Sequence, residues 1–237
     1  MEILALGFGR IAGAARLHPR FNETTDLLAL RLQVSLPEPL CATLLPTSAE
    51  RLAAFLSTLP RHDCCGRKAG GLDLMSADTT HAARGADAVA WVGHVVEHAI
   101  IDRVVTITDI PSCSGATGAL IEPEDQLDIF VSCPDRAVGR LTAELAVEMV
   151  RAALCGSASD PLWSVTTRLA RSFYGRPGAL IEPEREPERA DETPEILEAA
   201  FALLEGTGFL QRVPFSLNLS GLERYRHLRD AVTAERA

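Results

Sequence analysis

Between Ala88 and Val105 the chain reads AVAWVGHVVEHAIIDRVV, apolar on nearly every side of a helical wheel but for Asp102 and Arg103 toward its end and three ionisable residues near its centre, His94, Glu97 and His98. An α-helix turns about 100° per residue, so with His94 at zero, Glu97 falls at roughly −60° and His98 at roughly +40°, and the three share one face. The pattern predicts a helix buried all round. Elsewhere it predicts alternation. Leu28, Leu30, Leu32 and Val34 recur every second residue within Thr24 to Leu36, as do Leu127, Ile129 and Val131 within Asp125 to Cys133, so both stretches are expected to be half-buried strands. Each is followed by a helical pattern. The first, capped by Thr47 or Ser48, runs to about Leu59 with Leu52, Phe55, Leu56 and Leu59 as its apolar stripe; the second is opened by Pro134 or Asp135 and stopped by Gly156.

The recurring order of strand and helix predicts an α+β fold: two strand-helix halves forming a sheet with helices packed on one face, plus a helical C-terminal appendage. Residues 1–157 are expected to form the α+β domain, 158–194 a flexible linker rich in Pro, Glu and Arg, and 195–237 the appendage. Within the 158–194 range, Ser159 to Tyr174 retains a helical pattern; the linker character is strongest in PEREPERADETP, 183–194. Helices are expected from Thr193 or Pro194 to Gly206 and from about Leu222 to Ala234. Met1 to Arg16 is short and rich in Gly and Ala, and Thr106 to Gly118 reads as a turn-rich loop. The heptapeptide GALIEPE occurs at Gly118 to Glu124 and again at Gly178 to Glu184; no mechanism follows from it.

Three ionisable groups in so apolar a helix need partners, because burying them unpaired costs on the order of several kcal/mol. A divalent metal ion is one solution. The spacing H-x-x-E-H is the reverse of the zinc-peptidase H-E-x-x-H helix: two imidazoles one turn apart supply two corners of a zinc site, and the carboxylate between them can act as general base. The other solution needs no metal, with the histidines hydrogen-bonded to backbone or carboxylates and Glu97 paired with Arg103 or Arg84. A third ligand would have to come from elsewhere. Glu144 and Glu148, one turn apart on the 135–154 helix, are candidates; the alternative for them is a solvated pair flanked by Arg140 and Arg151.

Charge and composition narrow the partners. A formal charge of −9 and a pI of about 5.2 exclude the electrostatic footprint of a nucleic-acid binder and of a polybasic membrane surface. The glycine-rich HDCCGRKAGGLDL, 62–74, brings Arg67 and Lys68, the single lysine, ahead of the buried helix as a conceivable substrate loop. His62 and His81 are expected to be solvated. The six cysteines, Cys41, Cys64, Cys65, Cys113, Cys133 and Cys155, form no C-x-x-C pair. With no apolar run of about 20 uncharged residues and no secretion signal, a cytoplasmic location with reduced thiols is expected.

Taken together, WVGHVVEHAIID, the CCGRKAGG loop before it and VGRLTAELAVEMVRAAL about forty residues after it resemble the N-terminal domain of cyanophycin synthetases, over roughly Thr24 to Leu154. That family carries a W-x-G-H-x-x-E-H helix, a preceding Cys and glycine-rich segment, and a later G-R-x-x-x-E-L-A helix. In some members the domain is a metal-dependent hydrolase with a pitrilysin-like (inverzincin) site that cuts the Asp-Arg polymer; in others it binds polymer. The resemblance implies that His94 and His98 bind Zn(2+), Glu97 activates water and Glu144 is the third ligand, with Glu148 ranked second. Arg67, Lys68 and Arg103 are the expected contacts for substrate carboxylates or backbone. The chain departs from the family in having no GxxxxGK[ST] and an apolar AIID after the motif, and its last 80 residues lie outside the likeness. The expected activity is therefore that of a metalloprotease or amidohydrolase acting on a peptide or isopeptide bond, with a peptide or peptide-polymer substrate and room for a homo-oligomer. The alternative is a non-catalytic module that binds polymer or docks a partner.

Overall fold

The structure is a computed structural model and describes residues 1–22, 24–34, 51–52, 54–55, 59, 86–120, 122–156, 161–174 and 193–212. The chain divides into two compact units, Met1–Val104 with Ser112–Ser159, and Val105–Pro111 with Asp160–Ala237.

The first unit is built on a four-stranded antiparallel sheet of β1 (Glu2–Gly9), β2 (Leu27–Gln33), β3 (Gly115–Ala119) and β4 (Gln126–Ser132), in the order β1-β2-β4-β3. β2 and β4 lie where the alternation places them. Leu28 opposes Val131, Leu30 opposes Ile129 and Leu32 opposes Leu127, so the apolar positions of both strands fall on one face, and all six are buried. The opposite face carries Arg31 across from Asp128, joined by two bonds of 2.7 and 2.8 Å. Part of that face is covered by Ala14 and Phe21, which pack with Leu27 around Ile11, Ala116 and Phe130.

Two helices serve the apolar face. The buried segment forms α1 (Ala86–Thr108), longer at both ends than the pattern predicts, and it stops where Asp109 turns to φ 57 and donates its N–H to the Val105 carbonyl. The next is α2 (Arg136–Cys155). Asp135 is its N-cap, its carboxylate accepting from the Ala137 and Val138 N–H groups, and Gly156 closes it at φ 77, as the sequence predicts. α2 meets the sheet where Gly139 lies against Leu28, and α1 meets it where Gly93 lies against Leu127 and Thr117. These contacts fall on the same face of the sheet.

The Gly- and Ala-rich start of the chain supplies β1, since Glu2–Gly9 pairs along the whole of β2. One expectation is corrected. The loop expected at 106–118 is instead the last turn of α1, a short connection and β3, whose five residues GATGA pair with β4. β3 carries no alternation, and in β1 Leu4, Leu6 and Phe8 recur every second residue but between Ala5, Gly7 and Gly9 and not polar side chains, so each strand is fixed by the neighbour it pairs with. The first GALIEPE copy supplies the end of β3 and the turn into β4, and the second lies outside the described residues. So does most of the helix expected at 47–59, although Arg51, Leu52, Ala54 and Phe55 are helical.

In the second unit, α3 (Pro161–Tyr174) and α4 (Pro194–Gly206) are followed by the short α5 (Phe209–Arg212). The linker expected across 158–194 is thus interrupted by a helix with buried Val165, Leu169 and Ala170. Residues 175–192, including most of the proline-rich stretch, and the helix expected at 222–234 lie outside the described residues. No described helix is long and apolar enough to cross a membrane.

Candidate functional site

Glycine at position 93 brings α1 down onto the sheet. A Cβ there would sit 2.5 Å from Leu127 Cδ2 and 3.1 Å from Thr117 Cγ2, so any other residue would have to push the buried Leu127 side chain aside. One turn later the helix presents Glu97 to β3. The Thr117 hydroxyl donates to Glu97 Oε2 in a short bond, and Gly115 makes room for the same carboxylate, since a Cβ on it would come 2.5 Å from Oε1 and 2.8 Å from Cγ. Glu97 is buried, and the hydroxyl gives it the polar contact that the surrounding aliphatic residues cannot.

The two histidines complete the cluster. His94 and His98 pack edge to face with ring centroids 4.4 Å apart, and their Nε2 atoms are 3.0 Å from each other. Glu97 Oε2 lies 3.4 Å from His94 Nδ1. His98 is fully buried, whereas the His94 side chain keeps 20% of its surface exposed, so the cluster opens toward solvent on the His94 side. The arrangement is a chain of groups, Thr117 to Glu97 to His94 to His98, running from strand to helix.

Two occupants satisfy an Nε2 to Nε2 distance of 3.0 Å. One is a proton, with one neutral imidazole donating to the other at ordinary hydrogen-bond length. The other is a cation, because two nitrogens about 2.0–2.1 Å from one tetrahedral zinc ion are about 3.3 Å apart, within a few tenths of the spacing here. The donor set of paired imidazoles with a carboxylate alongside suits zinc. The third donor is another matter. Glu144, on α2, is partly exposed and accepts a 3.0 Å bond from Arg140 one turn back, and Glu148 pairs with Arg151 at 3.0 Å. Among the described residues no group of three or more His, Cys, Asp or Glu side chains is arranged to hold a metal ion.

The remaining expected site residues separate clearly. Arg103 lies on α1 with its guanidinium against Asp102 in a short ion pair, both side chains largely buried. Arg67 and Lys68 lie outside the described residues, as do His62, His81, Cys41, Cys64, Cys65 and Arg84. Cys113 precedes β3 and donates to the Ser132 carbonyl at 2.9 Å. Burial pushes its thiol up to about 11, against the opposing effect of the hydrogen bond that the Ser132 hydroxyl donates to Sγ and with a smaller contribution from the nearby Glu97 carboxylate. A thiol held protonated in this way is no nucleophile at neutral pH. Cys113, Cys133 and Cys155 carry thiols, not disulfides.

Three residues of this region escape a reading of the α1 motif alone. Asp102 was findable, standing one turn beyond His98 in the same apolar run. Gly115 and Thr117 were not, since they reach Glu97 only through the pairing of β3 with β4.

Compared with known proteins, the chain matches no family model, no curated protein and no solved structure. The likeness to cyanophycin synthetases rests on the three quoted motifs.

Proposed function

We propose that this protein is a metal-dependent hydrolase of peptide or isopeptide bonds, with a cyanophycin-like Asp-Arg polymer as one candidate substrate. The observation that carries the reading is the convergence of His94 Nε2 and His98 Nε2 at 3.0 Å beside the buried Glu97. In this reading the two imidazoles would hold Zn(2+), which would polarise the scissile carbonyl and make water easier to deprotonate. Glu97 would take the proton from water and return it to the leaving amine. Glu144 would be the third ligand, giving up a pairing with Arg140 that costs little to break because it is partly solvated. Arg67, Lys68 and Arg103 receive substrate carboxylates or backbone. The α+β domain with helices on one face of the sheet is the scaffold, and the C-terminal residues form an appendage to it.

Metal analysis and hydrolysis together test this. The purified chain should carry near-stoichiometric zinc. Glu97→Gln should keep the zinc and lose hydrolysis of an Asp-Arg polymer or a general peptide by about 10²–10⁴-fold. A metal-free wild type, or a fully active Glu97→Gln, ends the reading.

A second reading is a non-catalytic module that binds a peptide polymer or docks a partner with the same fold. The engagement of Glu144 by Arg140 favours it, since in that state its carboxylate is held by its own helix and not offered to the imidazole pair. Polymer binding undiminished by a chelator, without hydrolysis, would select it.

A further inference from the structure

We infer that Thr117 is a positioning residue for the α1 site, acting with Gly115 to fix both the orientation of Glu97 and the tautomer of His94. The inference rests on the reading of that site given above and adds the strand that sets it up. Glu97 has three bonds to rotate, and a buried carboxylate on a helix can point along its own face or toward the sheet. Here both oxygens are accounted for. Oε2 accepts the Thr117 hydroxyl and lies 3.4 Å from His94 Nδ1, while Oε1 sits over the bare Cα of Gly115, where a Cβ would come within 2.5 Å.

The consequence falls on the imidazole. A carboxylate facing Nδ1 favours the tautomer that carries its proton there, because that N–H is the donor the carboxylate can use. The Nε2 lone pair of His94 is then left facing His98 Nε2, 3.0 Å away. This is the arrangement by which a carboxylate outside the ligand set orients a metal-binding histidine, and removing such a partner costs about 10–100-fold in metal affinity. Thr117 thus acts at one remove: hydroxyl to carboxylate, carboxylate to ring, ring to ligand atom. Gly115 leaves the space that Oε1 occupies, so the carboxylate keeps this orientation.

The test uses the full-length chain and two readouts. Long-range proton–nitrogen correlation of the histidine rings, on metal-free protein at mildly alkaline pH, reports the tautomer. Competition of Zn(2+) against a chelator reports affinity. Wild type and Thr117→Ser should show His94 protonated at Nδ1 and bind zinc within about twofold of each other. Thr117→Val, the same shape without the hydroxyl, and Gly115→Ala, which displaces the carboxylate and leaves the hydroxyl in place, should each lose the single tautomer and bind zinc about tenfold more weakly. A Val variant with wild-type tautomer and affinity overturns the inference, as does a Ser variant no better than Val. If Val does not fold, Gly115→Ala decides on the same two readouts. If the wild type binds no zinc, the metal reading fails by itself, and the tautomer comparison still decides whether Thr117 positions His94.

Discussion

Two helices on the same face of the sheet, α1 and α2, carry glutamates in apolar surroundings and treat them differently. On α1, Glu97 is buried and its hydrogen bond comes from Thr117, on another element. On α2, Glu144 and Glu148 find Arg140 and Arg151 within one turn of their own helix, and their side chains keep 33% and 51% of their surface exposed. A partner within a turn on an exposed face can be exchanged for water at little cost, so such pairs are worth only a few tenths of a kcal/mol up to about 1 kcal/mol. A partner supplied across a packed interface cannot, because losing it leaves a buried carboxylate whose missing bond costs about 1–3 kcal/mol. The first kind of glutamate is free to change partners and the second is fixed.

The sharpest way to break this contrast is to remove the fixed side of it. His98→Ala takes away one of two converging nitrogens in a buried site, and zinc affinity should fall at least about 100-fold, read by competition with a chelator. No change from His98→Ala would mean that α1 is not where the metal sits, and an equal change from Glu148→Gln, whose carboxylate is exposed and paired with Arg151, would make Glu148 the third ligand.

Cys113 sharpens the same contrast through pH. Its thiol lies near Glu97 and is raised from 9.0 to about 11 by burial. The folded state therefore holds the proton more tightly than the unfolded chain. The resulting stability is fully present below about pH 9 and is lost as pH rises through about 11. Allowing for the thiol's residual exposure, the change should be about 1–2 kcal/mol, measured by denaturant unfolding of wild type against Cys113→Ala from neutral pH upward. Parallel curves for the two proteins would mean that Cys113 is not buried as described.

The ends of α2 give a smaller effect. Asp135 accepts from two backbone N–H groups at 2.9 Å each, and Asp135→Ala should lower stability by about 1 kcal/mol with zinc affinity unchanged.

How far the sequence announces all this follows from the same distinction between local and distant partners. α2 is legible because its signals are internal: Asp135 at its start, Gly156 at its end and a helical stripe between them. β2 and β4 are legible because their buried leucines, isoleucine and valines alternate. β1 and β3 are harder to read, since GATGA has no period of its own and the every-second Leu4, Leu6 and Phe8 of EILALGFG alternate with Ala and Gly and not with polar residues; both become strands by pairing with β2 and β4. The site divides along the same line. His94, Glu97 and His98 share a helical face and can be read from their spacing, while Thr117 and Gly115 enter through the register of β3 on β4, which no spacing along the chain records.

The smallest prediction tests whether a loosely held glutamate can change partners. Arg140→Gln removes a cation that is 51% exposed and stands four residues before Glu144. In that order an i, i+4 pair is weaker than its reverse, so the loss should cost only about 0.3 kcal/mol of stability. If Glu144 is the third zinc ligand, the arginine competes with the metal for it, and removing the arginine should raise zinc affinity by about the corresponding factor, roughly twofold. Glu144→Gln should act in the opposite sense and more strongly, about tenfold, since it removes the donor itself and not its competitor. The two signs together carry the argument: a ligand and its rival must move affinity in opposite directions. If both substitutions leave affinity where it was, Glu144 stays with its arginine, and the imidazole pair of α1 must find its third donor elsewhere or serve a module that binds without cutting.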